Sequence, residues 1–378
     1  MGLSKDALPV LLVHMSDHHR PAVLHYTGAD DDRGGIMSVV RALADADRFD
    51  CTVGVNPGFR FLRPAQLAAL ELPRTASESI NLRTWWRAGV VARAVAGWLS
   101  EDQRRVFHGH TRAGLLVALR LAGAGERRVV ASVHCYGRQK WFYRWAARRL
   151  AGRLFWLSPA MKRHYGVGDG SWSQCIPGCV SLNRVSSPGA SAKEKEPLVF
   201  GGIGALVRWK GWHLVIEALA RLSAEERRRI RFRHVGSPVD SDASRRYARE
   251  LREHTGRLGL NDGVEWLGEQ PSSDSLLTTI DCLVVASDHE PFSIAMLESL
   301  AAGVPVLAAD SGGACDLLQP GETGWFFRTG DPADLARSMA RLVQAKGIAP
   351  IADSLAAVRP FTAPVVAGQW AEVYAGLQ

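Results

Sequence analysis

The chain has 378 residues, 47% of them hydrophobic and 22% charged, with a formal net charge of +8. That is an ordinary soluble composition on a chain longer than one hydrophobic core usually serves, so two domains are expected. No apolar run approaches the roughly 20 residues that a membrane span needs, and the basicity belongs to one half: residues 1–190 hold 26 Lys and Arg against 14 Asp and Glu, residues 191–378 hold 20 against 24.

The apolar run at 8–13 (LPVLLV) is too short for a secretory signal and lacks a small-residue cleavage site, so a cytoplasmic location is expected. Either that run or residues 21–26 (PAVLHY) supplies the first strand; the latter is preferred because TGADDDRGGIMSVVRAL follows it directly. Gly34 and Gly35 then precede a helix starting near Met37, and paired glycines at such a turn let backbone approach a phosphate. Asp30, Asp31 and Asp32 look like a metal-binding DxD. Residues 106–111 (VFHGHT) end another strand, which places His108 and His110 at its C-terminal end, facing a cleft. Residues 129–134 and 155–158 are further strands.

Residues 127–163 contain ten Lys or Arg and no acid. A helix within them would set Trp141 and Trp145 one turn apart, with Lys140, Arg144, Arg148 and Arg149 alongside. Cations attract anionic headgroups and indoles prefer headgroup depth, so one reading is a surface that docks on a cytoplasmic leaflet. The other is that the aromatic stripe packs on the core and the charges are solvated. No recognisable nucleic-acid module is present. Of six cysteines only Cys175 and Cys179 are close, and reduced structural thiols are expected.

Residues 183–197 are polar and rich in Ser, Pro and Lys, as an interdomain linker would be. Residues 198–206 open a second domain as an apolar strand, and the loop after it carries Arg208 and Lys210, two charges well placed for a diphosphate. Strands and helices then alternate, which gives a parallel sheet with right-handed crossovers. Leu267 and Gly268 end one strand where a base could stack or meet backbone. Residues 282–287 (CLVVAS) and 304–309 (VPVLAA) read as strands buried on both faces. Between them lies a helix at 294–302, with Pro291 suited to its first turn and Gly303 to its C-cap. Glu290, Phe292 and Ser293 stand where that helix begins, and Glu298 sits two turns into an otherwise apolar helix, where a charge needs a partner.

The spacing of Glu290 and Glu298, with GVPVLAADSGG following, resembles family 4 of the retaining glycosyltransferases, which have the GT-B fold of two Rossmann-like domains facing across a cleft. The resemblance is specific mainly from 198 to 324. It implies that Glu290 faces the donor sugar, that Glu298 binds the ribose hydroxyls, that Arg208 and Lys210 meet the diphosphate with the Gly34–Gly35 turn, and that His110 lies near the sugar while His108 is structural. It further implies a metal-independent reaction without a cofactor, so Asp30 to Asp32 become a solvated loop. Asp316 stands where members more often have Glu.

The expected organisation is an acceptor domain at 1–183, a linker at 184–197, a donor domain at 198–360 and a helix at 361–378 crossing back to the first domain. The expected reaction moves a hexose from a UDP- or GDP-sugar to a saccharide acceptor, lipid-linked and at the inner face of the cell membrane. A nucleotide-sugar epimerase of the same fold, or a non-catalytic scaffold, are the competing readings. Retention normally takes two displacements through a carboxylate, for which Glu290 is the best candidate; the family resemblance implies a same-face displacement instead.

Overall fold

The computed structural model describes residues 20–62, 67–75, 80–168, 170, 173–182, 197–345, 348–349 and 351–378. The run at 8–13 and all of the expected linker but Pro197 lie outside them.

Two parallel sheets organise the chain. The first contains β1 (Ala22–Tyr26), α1 (Gly35–Asp45), β2 (Asp50–Val55), β3 (Ala68–Glu71), α2 (Leu82–Ser100), β4 (Arg105–Gly109), α3 (Arg112–Gly123), β5 (Val129–Val133), α4 (Lys140–Leu150), β6 (Leu154–Trp156), α5 (Pro159–Tyr165) and β7 (Gln174–Cys175). Its strand order is β3-β2-β1-β4-β5-β6-β7. The second holds β8 (Leu198–Ile203), α6 (Trp212–Arg221), α7 (Ala224–Arg228), β9 (Ile230–Val235), α8 (Asp242–Arg257), β10 (Val264–Gly268), α9 (Asp274–Leu277), β11 (Cys282–Val285), α10 (Ile294–Ala301), β12 (Val306–Ala309), α11 (Ala314–Leu317), β13 (Gly324–Phe327) and α12 (Pro332–Gln344). Its order is β10-β9-β8-β11-β12-β13. The short α13 (Ser354–Val358) and then α14 (Ala363–Ala375) close the chain.

Every residue of β5, β11 and β12 is buried. Central strands of a parallel sheet are covered by helices on both faces, which is why their sequences carry no polar alternation. The strand order reverses beside β1 and β4 in the first sheet and beside β8 and β11 in the second. Such reversal points leave a crevice beyond the carboxyl ends of the strands, because the flanking helices diverge to opposite faces. Of these four strands, β1, β8 and β11 are followed by loops that line a cleft.

The chain returns to the first domain at its end. Val180 and Thr362 form a bridge, with Ala363 N–H donating to the Val180 carbonyl at 2.9 Å. Val366, Ala367, Trp370 and Tyr374 of α14 are buried with Val39 and Leu43 of α1, Val106 and Phe155. Further ties cross between the sheets: Ser158 donates to the Pro291 carbonyl at 2.9 Å, and Asp316 accepts from Ala160 N–H at 2.9 Å and pairs with Arg163 at 3.3 Å. All six cysteines are free thiols.

Candidate active site

A cleft of 1210 Å³ opens between the two sheets, lined from one side by the loops after β1 and β5 and from the other by those after β8, β9, β10 and β11. No helix among the described residues is long and apolar enough to cross a membrane.

At its centre Lys210 and Glu290 form an ion pair at 2.7 Å, with side chains 17% and 5% exposed. Ser287 donates to the same carboxylate oxygen, Oε2, at 2.9 Å. Removing two charges from water is costly, and the pair is tolerable here because each charge has its partner in place. Lys210 also lies 4.4 Å from the centroid of the Trp209 ring, a cation–π contact.

Glycines set this geometry. Gly211 has φ 72, and a Cβ there would stand 2.0 Å from the Ala286 carbonyl oxygen, so only glycine lets the Arg208–Lys210 turn lie against the end of β11. Gly312 does the same for Glu290: its φ is 56 and a Cβ would meet the Glu290 carbonyl oxygen at 2.2 Å. Gly313 N–H donates to that carbonyl at 2.6 Å. The paired glycines of the ADSGG stretch thus pack the loop that carries Glu290.

Two helix N-termini meet at the cleft. Ser293 caps α10, accepting from Met296 N–H at 3.3 Å, and Gly34, with φ 91, precedes α1. A Cβ on Gly35 would lie 3.3 Å from Ile294 of α10, so the two ends are in close proximity. Each offers first-turn N–H groups without a partner among the described residues, and partial positive charge. Pro291 precedes the Ser293 cap instead of occupying the first helical turn, while Gly303, with φ 72, follows the C-cap as expected. Phe292 and Glu298 line the same space, Glu298 about one turn along α10 from Ile294.

Lys210, Glu290, Gly34, Gly35, Phe292, Ser293 and Glu298 are therefore brought together, and the remaining candidates are not. Arg208 is 73% exposed and turned to α8, its guanidinium 5.9 Å from the Tyr247 ring centroid and 3.9 Å from Glu250. A three-residue 3-10 turn sends its first and third side chains in different directions, and only the third reaches the cleft. Leu267 is 41% exposed and Gly268 is bonded through its carbonyl to Gly236 N–H. A register shift between Trp266 and Gly268 displaces them, and residues 269–274 line the cleft in their place.

His110 is 2% exposed and bonded to His25 and His134, behind the wall; the imidazole on the wall is His134. Its signal was a polar residue closing the apolar run VVASVH. His108 is fully buried between Tyr374 and Ser132. Asp30 is exposed as expected of a solvated loop, but Asp31 and Asp32 are not, and all three are paired. Asp30 pairs with Arg74 at 2.7 Å, Asp31 with Arg33 and Arg60, and Asp32, 1% exposed, with the buried Arg41. The loop before α1 is fixed by these arginines, which keeps Gly34 and Gly35 in position.

Lys140, Trp141, Arg144, Trp145, Arg148 and Arg149 of α4 lie away from the cleft. Trp141 is 65% and Trp145 43% exposed, while Phe142 and Tyr143 are buried; Lys140, Arg144, Arg148 and Arg149 are exposed. The helix thus packs through Phe142 and Tyr143, and its two indoles stay in solvent.

Residues 185–352 match the family described as Glycosyl transferases group 1. The lipopolysaccharide core biosynthesis glycosyltransferase LpsE of Rhizobium meliloti is 30% identical over 141 residues, 37% of this chain and 38% of that protein. The D-inositol 3-phosphate glycosyltransferase of Geodermatophilus obscurus is 28% identical over 268 residues, 68% of this chain and 57% of that one. The chain thus spans about half the length of these relatives. Among solved structures, Anabaena Alr3699/HepE in complex with UDP and glucose superposes with a TM-score of 0.75 at 21% identity, over 94% of this chain and all of that one. The chain has the GT-B fold, and the stretch that carries Lys210, Glu290 and Glu298 matches the glycosyl transferases group 1 family.

Proposed function

We propose that the protein is a retaining, metal-independent glycosyltransferase that moves a hexose from a nucleoside diphosphate sugar to a hydroxyl of a saccharide acceptor. The observation that carries this reading is the buried Lys210–Glu290 pair set beside two helix N-termini. A departing diphosphate gains negative charge in the transition state. Lys210 and the free N–H groups of α1 and α10 are fixed donors for it, and preorganised donors of this kind lower barriers without reorganising. With that charge met by protein groups, the reaction needs no metal. The relatives named above are glycosyltransferases and one structural neighbour is a complex with UDP and glucose, which supports a nucleotide-sugar donor.

In this reading Glu298 takes the two ribose hydroxyls, a task suited to a two-oxygen acceptor. Glu290 orients the sugar. Its Oε2 already accepts from both Lys210 and Ser287, which lowers its value as a nucleophile and favours a same-face displacement in which the leaving phosphate takes the acceptor proton.

Calorimetric titration of UDP, GDP, ADP and TDP without metal tests the donor half. One of them is expected to bind, and Glu298→Ala to weaken it by about 100-fold, the loss of two charge-assisted hydrogen bonds. An unchanged dissociation constant in the variant would remove the ribose role. Transfer observed only with added acceptor separates a transferase from an epimerase.

In this reading the acceptor is lipid-linked and met at the cytoplasmic membrane face, which the two indoles and four cations left exposed by α4 support. Each surface cation contributes about 1 kcal/mol at an anionic leaflet. Replacing Arg144, Arg148 and Arg149 by Gln is therefore expected to weaken sedimentation with phosphatidylserine vesicles by about 100-fold. Equal sedimentation of both proteins would end the assignment.

A further inference from the structure

At and behind the wall of the first domain stand four histidines on neighbouring strands or just past their ends. His25 of β1 pairs in register with His108 of β4, while His110 and His134 follow the ends of β4 and β5. His25 Nδ1 lies 2.9 Å from His110 Nε2, and His110 Nδ1 lies 3.1 Å from His134 Nε2. At the far end Cys51 Sγ is 3.7 Å from His25 Nε2. His108 forms a separate branch, with Tyr374 on Nδ1 at 2.7 Å and Ser132 on Nε2 at 2.8 Å.

One ring nitrogen each of His25, His108 and His110 lies within 4.8 Å of the others, a spacing that a metal ion could use. Yet both nitrogens of all three are already engaged in hydrogen bonds in a dry interior. A metal would have to break several of these bonds, whereas a neutral chain satisfies all of them.

We propose that Cys51, His25, His110 and His134 form one proton-ordered chain that holds the Nδ1–H of His134 toward the cleft; the histidine contact to the sugar that the family resemblance implies for His110 then falls to His134, and the chain that sets its tautomer is the new element. Only the sugar contact rests on the glycosyltransferase reading. A neutral imidazole has one donor and one acceptor nitrogen, so a single proton placement orders the row. Sulfur is a weak acceptor, and the thiol has a proton to give because burial pushes its pKa up to about 12. Cys51 then donates to His25 Nε2, His25 Nδ1–H to His110 Nε2, and His110 Nδ1–H to His134 Nε2. The last proton sits on His134 Nδ1, for which the described residues supply no partner, on a side chain that lines the cleft. Burial keeps the ring uncharged down to about pH 4, so it suits a hydroxyl rather than a phosphate. His134 would touch the substrate; His110, His25 and Cys51 are positioning residues.

The test is a long-range nitrogen–proton spectrum of the histidine-labelled whole protein, which reports the tautomer of each ring. His25, His110 and His134 are expected as Nδ1–H, the minor form of imidazole in water. Cys51→Ala should release the order and Cys51→Ser, whose hydroxyl still donates, should keep it. His134→Ala should leave binding of the nucleoside diphosphate unchanged and weaken its glucose ester about tenfold, the loss of one hydrogen bond. Nε2–H forms in the wild-type chain would overturn the proposal, as would one equivalent of Zn²⁺ shifting these rings, the latter in favour of a metal site. An ordered chain with unaltered binding of the glucose ester in His134→Ala would overturn the sugar contact. If no nucleotide binds at all, the glycosyltransferase reading fails while the spectrum still decides the chain.

Discussion

Lys210→Ala is expected to lower kcat by about 10²–10³ while changing nucleotide affinity much less, because a fixed cation opposite developing phosphate charge acts mainly in the transition state. It should also lower stability. Glu290, 5% exposed, would be left with Ser287 as its remaining recorded donor, and stripping one partner from a buried pair costs about 3–5 kcal/mol. For a domain of this size that is a fall in Tm of about 10 °C. The two effects separate in the double variant Lys210→Ala with Glu290→Gln. Neutralising the carboxylate should restore much of the Tm, since no unpaired charge remains, and should leave kcat low. Thermal melts and initial rates on the three variants check this. A kcat within tenfold of the parent, or one recovered in the double variant, would show that Lys210 serves Glu290 rather than the leaving group.

The parts of this site that were legible in the sequence are those fixed by local rules. β11 and β12 declare themselves as short apolar runs because a central parallel strand has no wet face. Gly303 marks the end of α10 through its left-handed backbone. Glu290 and Glu298 stand out as acids in apolar surroundings, and topology alone then sends the loop after β11 to the cleft.

What failed depended on partners distant in the chain or on one residue of register. The pairing of Asp30, Asp31 and Asp32 was not legible because Arg41, Arg60 and Arg74 lie 9 to 44 residues from their partners, Arg33 alone being a neighbour. Arg208 and Lys210 look equivalent in a loop, and a tight turn separates them. His110 and His134 both follow an apolar strand; which one faces the cleft depends on how β4 and β5 end beside each other, and the sequence of neither contains that.

Acid should unfold the first domain before the second. Burial holds His25 at about 3 and His134 at about 4, and His108 and His110 well below the ordinary value of 6.5. In the second domain burial holds the fully buried His234 at about 3. The sign follows from linkage. A buried imidazole with a depressed pKa stays neutral in the fold while the unfolded chain takes up a proton below 6.5, so stability is full above 6.5 and is lost as pH falls toward the folded pKa. Between pH 7 and 5, His25 and His134 each cost the fold about 2 kcal/mol. His108 and His110 act in the same direction. Four such rings in one domain compare with a total stability of about 5–15 kcal/mol, whereas the second domain carries one fully buried ring of this kind among its described residues. Urea midpoints at pH 7 and pH 5, with pulse proteolysis to locate the first cleavages, measure the difference. Cleavage is expected to move into residues 20–182 at pH 5. Equal midpoints at the two pH values would mean that the histidine cluster accepts a proton in the folded state, and first cleavage in the second domain would mean that its burial, not that of the four-histidine wall, sets the acid limit.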